Sequence, residues 1–458
     1  MERLQVLRAR LGDALFPDPP SSGPSLGRAQ QVALLLSLLA LAVILQLARA
    51  GWSASIQALW AEDGPIFLQE AVAQSFGHAV TATYAGYLVV VPRLIGEAAA
   101  AVPLADAPAA ISILSAMVVA LCGLAVWHAS AGHIRNPYLR GTLAVLTILA
   151  PTASLESVDS AAYVAWYMLF ATFWLLLWRP RTNWGAALGS LFVLATALSS
   201  PGVWFFAPLA ALRALAVRNG RDLAIVGSFA LGAAVQIPVV ALNTEEAVTP
   251  LWTGDIWPLY LQRVIDGAAF GQRLGGSAWA HLGWPFLIFL LVATIAGLSI
   301  GARRCGRGAR YFVAIAALTS LLMFVVSVYQ RAVGTAMLWP AANYNGTGGR
   351  YTIVPALLLV SAALVLIDAV ERRRSAPRRL SPIALATFGL LVGMVISFDV
   401  RDPATRGEPP WNRKLDEAAL VCVRENSPEV IVPISPPGFS VQLPCDRLVS
   451  PTGTLSQR

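Results

Sequence analysis

The sequence predicts an all-α polytopic membrane protein: a bundle of about eleven transmembrane helices, interfacial helices in the first outer loop, and a small C-terminal extracytoplasmic α/β tail. Three observations carry this. Hydrophobic residues make up 57% of the 458 and charged residues only 13%, and a mean hydropathy of +0.64 lies beyond a soluble globular composition. Uncharged apolar runs of about 18 residues or more recur, each long enough to cross a bilayer. The basic residues, nearly all arginines with Lys414 the only lysine, fall in alternate connections between those runs, as orientation in a membrane requires.

The expected spans are 31–50, 109–131, 139–155, 161–178, 184–199, 202–217, 222–243, 284–302, 311–330, 351–370 and 382–399. The first, "QQVALLLSLLALAVILQLARAG", closes on Ala48-Arg49-Ala50, which resembles a signal-peptidase site. The segment ahead of it, about 30 residues, is long for a signal peptide, so a retained anchor is expected.

"YAGYLVVVPRLIGEAAAAVP", 84–103, has span length but carries Arg93 and Glu97 in its middle. A charge at the bilayer centre costs about 2.5–3.5 kcal/mol on the insertion scale. Parity decides its placement. If it does not cross, the N-terminal segment and the loops "HIRNPYLR", "RPRTN", "RALAVRNGR", "RRCGRGAR" and "ERRRSAPRR" all lie inside, with twenty of the 33 basic residues. If it crosses, every later basic loop moves outside, against the positive-inside rule. The stretch 84–103 is therefore expected as an interfacial or re-entrant helix on the outer face. Arg93 and Glu97, one turn apart, are placed to pair.

This topology gives a cytoplasmic segment 1–30, a transmembrane domain 31–400 with its first outer loop at 52–108, and an extracytoplasmic tail 401–458. The expected location is the cell (inner) membrane, crossed many times, with the N-terminus in the cytoplasm. In the tail, "PEVIVPISPPGFSVQLPCDRL" reads as two short strands and a turn. A tail outside the cytoplasm would allow Cys422 and Cys445 to form a disulfide. The arginine excess is explained by orientation, and no aromatic-basic interleaving points to nucleic acid.

The first outer loop opens with "WAEDGPIFLQEA", 60–71. Adjacent acids in so apolar a chain have a plain reading: they cap a helix starting near Pro65. They also have a chemical one. Asp63 is followed four residues later by Phe67, and then by the amphipathic "YAGYLVVVPRLIGE". This arrangement resembles the GT-C superfamily of membrane glycosyltransferases, such as protein O-mannosyltransferases and lipid A aminoarabinose transferases. Members carry a short acidic motif, often followed by an aromatic, in the first extracytoplasmic loop. Gly64 stands where many have a second acid; Glu62 supplies one on the other side.

The resemblance implies transfer of a sugar from a polyprenyl-phosphate donor to a hydroxyl of a glycan, lipid or protein acceptor of the cell envelope, among membrane lipids. A carboxylate takes the acceptor proton, and Asp63 is the candidate base. Glu62 has two roles open, orienting the acceptor or sharing a divalent cation; two adjacent acids alone do not argue for a metal. The departing phosphate needs positive charge. In "YNGTGGRYTIVPALLL", 344–359, Arg350 and Tyr351 open the tenth span after a glycine-rich stretch. Arg350 is the phosphate candidate, with a snorkelling interfacial arginine as the plain alternative.

The loop 244–283, with Trp284 at its end, mixes four tryptophans with Arg263, Arg273 and His281. It suits either an amphipathic lid, with Arg273 or His281 reaching phosphate or sugar, or interfacial anchoring. "PTASLESVDSAAYVAW" adds Glu156 and Asp159, three residues apart and on one face if helical. Tyr84, Tyr87, Arg93, Glu156, Asp159 and His281 are the expected substrate-binding residues, and Arg350, Tyr351 and Arg273 the donor-phosphate set. No phosphate-binding glycine loop, zinc motif or nucleotide fold is visible. The rival class is a transporter or flippase of a lipid-linked sugar or other amphipath. It needs ionisable groups at membrane depth, and the spans hold few.

Overall fold

A computed structural model of the chain describes residues 12–20, 27–217, 219–243, 256–330, 348–373, 389 and 409–449; the side chains of 53, 54, 155, 272 and 273 lie outside this description. The principal helices are α1 (Arg28–Ala50), α2 (Val90–Ala100), α3 (Ala107–Ala129), α4 (Pro137–Ile148), α5 (Val164–Leu177), α6 (Asn183–Ala197), α7 (Ala207–Ala216), α8 (Gly220–Leu242), α9 (Gly267–Arg304), α10 (Arg307–Gln330), α11 (Arg350–Glu371) and α12 (Trp411–Glu425). Two hairpins accompany them: β1 (Thr83–Tyr84) with β2 (Tyr87–Leu88), and β3 (Glu429–Ile434) with β4 (Phe439–Pro444), both antiparallel.

Among the described residues, six helices have the length and composition to cross a membrane: those over Arg28–Ala50, Leu104–Gly132, Gly220–Leu242, Leu274–Arg304, Arg307–Gln330 and Arg350–Glu371. The described residues do not establish the count of eleven. α4 to α7 hold 12, 14, 15 and 10 residues, short of the roughly 20 a full span takes. The last expected span, 382–399, lies outside the described residues.

Burial explains the hierarchy. α5, "VAWYMLFATFWLLL", is apolar on every side and almost every residue is buried, the pattern of a helix enclosed by others. Trp174 and Phe173 pack on Phe312 of α10 at 5.1 and 5.9 Å between ring centroids. α11 is likewise enclosed, packing on α5, α9 and α10. α1 turns a row of leucines outward, including Leu34, Leu35, Leu36, Leu38 and Leu41; so large an apolar face fits lipid rather than water.

α7 is tied to the end of α5 by Arg213, fully buried. It donates to the Leu175, Leu176 and Trp178 carbonyls and pairs with Asp222 at 2.5 Å. A cation at a helix C-terminus complements the macrodipole.

The stretch 84–103 contains most of the β1–β2 hairpin followed by the 11-residue α2, short of the roughly 20 residues a full span takes. The expected Arg93–Glu97 pair is corrected. Arg93 instead pairs with Glu70 at 2.7 Å, donates to the carbonyls of Ile66 (2.6 Å) and Thr83 (3.2 Å), and lies over the Phe67 ring. Arg93 is buried, so it clamps the first loop from within, using partners that tertiary folding brings closer than the one-turn neighbour.

The 244–283 loop is helical over its described part. A short helix Ile256–Leu259 leads through a π-helix, Tyr260–Asp266, into α9. α9 is broken at Gly271 and Gly283, whose φ values are 72° and 60°. Trp257, Leu282 and Trp284 are exposed, the pattern of interfacial anchoring.

The tail forms the expected hairpin, with α12 against β3 and a Cys422–Cys445 disulfide joining helix to strand end. It docks on the acidic loop. Ala61 N–H donates to the Ser435 carbonyl at 2.6 Å, Gln442 N–H to Gln69 Oε1 at 2.7 Å, and Trp411 Nε1 to the Leu104 carbonyl at 2.7 Å. A Cβ at Gly64 would strike Ile434 and Val441. A side chain in place of Gly64 would therefore have to displace the Ile434 and Val441 side chains of the tail.

Candidate active site

Glu62 and Asp63 occupy a single 3-10 turn, Ala61–Asp63, running straight into a π-helix, Gly64–Leu68. π turns recur at functional sites. Ala61 holds φ 44°, costly for a residue with a Cβ, and the Ser435 contact braces it. The two acids diverge. Asp63 points inward and is 2% exposed, with Oδ1 accepting from Ser160 Oγ at 3.1 Å and Ala162 N–H at 3.2 Å. Glu62 is half-buried, and each of its oxygens accepts from a tyrosine hydroxyl: Tyr84 at 3.0 Å and Tyr163 at 2.9 Å.

Tyr163 is the hub. Its hydroxyl donates to Glu62 and accepts from Arg350 Nη1 at 2.7 Å, and the guanidinium lies 4.9 Å from the Tyr163 ring centroid. Arg350 opens α11. Glu156 seats that helix start, accepting from Gly348 N–H at 2.8 Å and pairing with Arg350 at 3.3 Å. A carboxylate there offsets the positive end of the helix. Tyr351 flanks the guanidinium at 5.0 Å and meets Trp166 edge-on at 5.4 Å. The first loop, the 150–163 connection and the start of α11 thus converge.

Burial pushes the Asp63 carboxyl up to about 8, against the pull of the Ala162 and Ser160 hydrogen bonds and helped by the Glu62 charge. Burial also raises the Tyr84 hydroxyl, with Glu62 adding to it. A protonated Asp63 below pH 8 and a Glu62 held by two hydroxyls give the adjacent acids different chemistry.

The remaining expected residues divide. Tyr87 pairs with Tyr84 across the hairpin. Glu156 and Asp159 were expected on one face and are separated, because only Leu155–Ser157 is helical and Asp159 turns at φ 57°. Asp159 Oδ2 accepts from Ser55 Oγ at 2.7 Å, and burial pushes its carboxyl up to about 7. Arg93 has the clamping contacts described above. His281 is exposed, with Nδ1 2.7 Å from the Ser277 carbonyl of its own helix, and among the described residues no hydrogen bond or ion pair joins it to the cluster. The Arg273 side chain lies outside the described residues. Among the described residues, no three His, Cys, Asp or Glu side chains gather as a metal site.

Sequence reasoning missed Tyr163, Ser160 and the tail. Tyr163 carries a faint signal, an aromatic at the outer end of an expected span, three residues beyond the Asp159-Ser160 pair. Nothing in the sequence links 435–442 to 61–69.

No protein-family profile matches this chain, and no curated protein matches it. Among solved structures, it is similar to an archaeal oligosaccharyltransferase, AglB from Archaeoglobus fulgidus, in complex with an inhibitory peptide and a dolichol-phosphate. The TM-score is 0.38 at 16% identity, covering 87% of this chain and 58% of that one. This chain therefore spans little more than half the length of that protein.

Proposed function

We propose that the protein is an integral-membrane glycosyltransferase that moves a sugar from a polyprenyl-phosphate donor to an acceptor hydroxyl of the cell envelope. The observation that carries this reading is the hydrogen-bonded series Glu62–Tyr163–Arg350–Glu156 beside buried Asp63. It gathers what the reaction needs, proton-accepting carboxylates and a cation for a phosphate, and the first-loop acids are those on which the GT-C resemblance rests.

In this reading the acceptor oxygen attacks the anomeric carbon as its proton passes to Asp63. The bond from that carbon to the phosphate oxygen breaks, and polyprenyl phosphate leaves with the negative charge. A base near pH 8 holds a proton far better than a free carboxylate. Glu62, held by two tyrosines, orients the acceptor. Arg350 faces the leaving phosphate, which competes with Glu156 for the guanidinium; bidentate pairing with phosphate is the strength of an arginine there. The cluster faces the outside and the N-terminus the cytoplasm. The Cys422–Cys445 disulfide, on a tail docked against the acid loop, supports that side, since disulfides persist in oxidising compartments.

The test is reconstitution in liposomes with a labelled polyprenyl-phosphate sugar. The reading expects cleavage of the sugar–phosphate bond, lost in Asp63→Asn and sharply reduced in Arg350→Ala. Movement of intact donor across the bilayer with no bond broken supports a flippase instead.

A further inference from the structure

The end of the bundle remote from the acid cluster holds a second polar cavity. α11 starts at Arg350 in the cluster and runs 22 residues to Glu371, about 33 Å at 1.5 Å per residue. At that far end a cavity of about 450 Å³ opens, walled by Arg135, Arg372, Arg373 and His133. The first turn of α10 supplies another side through Gly306, Gly308 and Ala309, and Asp13 is the one acid among the described lining residues.

The positive-inside rule accounts for arginines at this end. It does not account for their gathering round a cavity that a 24-residue helix enters by its N-terminus. Nor does it account for His133. This side chain is 6% exposed, and its Nε2 has no hydrogen-bond partner among the described residues. Its ring is held between Trp174 and Phe312, at 5.9 and 5.0 Å, so it does not swing freely in search of one. Buried polar nitrogens normally have a partner.

The charges behind the wall are arranged to leave it positive. Asp368 accepts from the backbone N–H groups of Arg135 and Asn136 at 3.1 and 2.8 Å and pairs with Arg372 at 3.0 Å. One guanidinium is thus compensated. Arg135 and Arg373 are exposed, and Arg373 Nη1 donates to the Arg304 carbonyl. Arg303, Arg304, Arg307 and Arg310 adjoin in the chain. Guanidinium forks and a helix N-terminus around one cavity suit a tetrahedral oxyanion.

We infer that this cavity is a second binding site, for a phosphate-bearing anion, on the face of the bundle opposite the acid cluster. None of its residues belongs to that cluster, so the inference stands apart from the proposed transferase activity. At the end of membrane-length helices, the phosphate is that of an anionic lipid headgroup or of a soluble phosphate compound.

The test is thermal unfolding of the full chain, followed by tryptophan fluorescence. One arm titrates inorganic phosphate in a zwitterionic detergent. The other compares nanodiscs of phosphatidylcholine with and without phosphatidylglycerol. Arg135→Ala/Arg373→Ala is set against Arg28→Ala/Arg221→Ala, which removes the same charge without touching the lining. A raised midpoint in the first arm identifies a soluble anion; a rise only with phosphatidylglycerol identifies a headgroup. Either supports the site if the lining pair weakens the apparent affinity by about tenfold or more while the control pair does not. Should the lining pair fail to fold, Arg135→Ala alone is read the same way. No shift in either arm, or equal losses in both pairs, overturns the inference.

Discussion

Glu62 and Arg350, far apart in the sequence, meet on the hydroxyl of Tyr163, 2.9 Å from one and 2.7 Å from the other. The tyrosine donates to the carboxylate and accepts from the guanidinium, so one hydroxyl fixes the spacing of the acid and the cation.

Tyr163→Phe removes that hydroxyl and keeps the ring under Arg350. Hydrogen bonds to charged groups contribute about 1.5–3 kcal/mol, so transfer activity should fall about ten- to hundredfold. The check is kcat/KM for the donor beside an unchanged unfolding midpoint.

Asp63 ties pH to both stability and rate. Its carboxyl is raised from the ordinary 3.8 to about 8 in the folded chain. A raised acid supports folding fully below its unfolded value and loses that contribution as pH rises through the folded one. Asp63→Asn does not ionise. Its midpoint should therefore gain on the wild type between about pH 4 and pH 8 and hold that gain above. The wild-type rate should climb through about pH 8. Midpoints and rates at four pH values across the range check both.

Gly64→Ala places a methyl against Ile434 and Val441. Overpacking of this kind costs about 1–3 kcal/mol, and here it falls on the contact between tail and acid loop. Faster limited proteolysis of the tail, with activity reduced because the Ala61–Ser435 brace loosens, is the expected outcome.

Arg213→Met leaves Asp222 buried without its cation. Removing one partner of a buried pair costs about 3–5 kcal/mol, so denaturant unfolding should shift by that amount. Arg213→Met with Asp222→Leu should recover much of the loss.

The sequence carried the outline of the fold because apolar length and arginine placement are strong, local signals. α1, α3, α8, α10 and α11 fall where those signals put them, and 84–103 holds only the short helix α2. The middle helices α4 to α7 are apolar but fall short of full span length, which a sequence of near-continuous apolar residues does not reveal. At the site, Glu62, Asp63, Glu156 and Arg350 were legible as charges out of place in an apolar chain. Tyr163 was not, because an interfacial aromatic looks the same whether it faces lipid or joins two ions. Arg93 misled because its one-turn neighbour is visible in sequence while Glu70 and Phe67 are neighbours only after folding.

The central claim is that the first-loop acids and Arg350 form one reaction centre. The most direct measurement is a double-mutant cycle on donor cleavage with Glu62→Gln and Arg350→Ala, each alone and together. A shared centre predicts a double variant little slower than the slower single variant. Losses that multiply in full would mean the two residues act independently, and the account would fail.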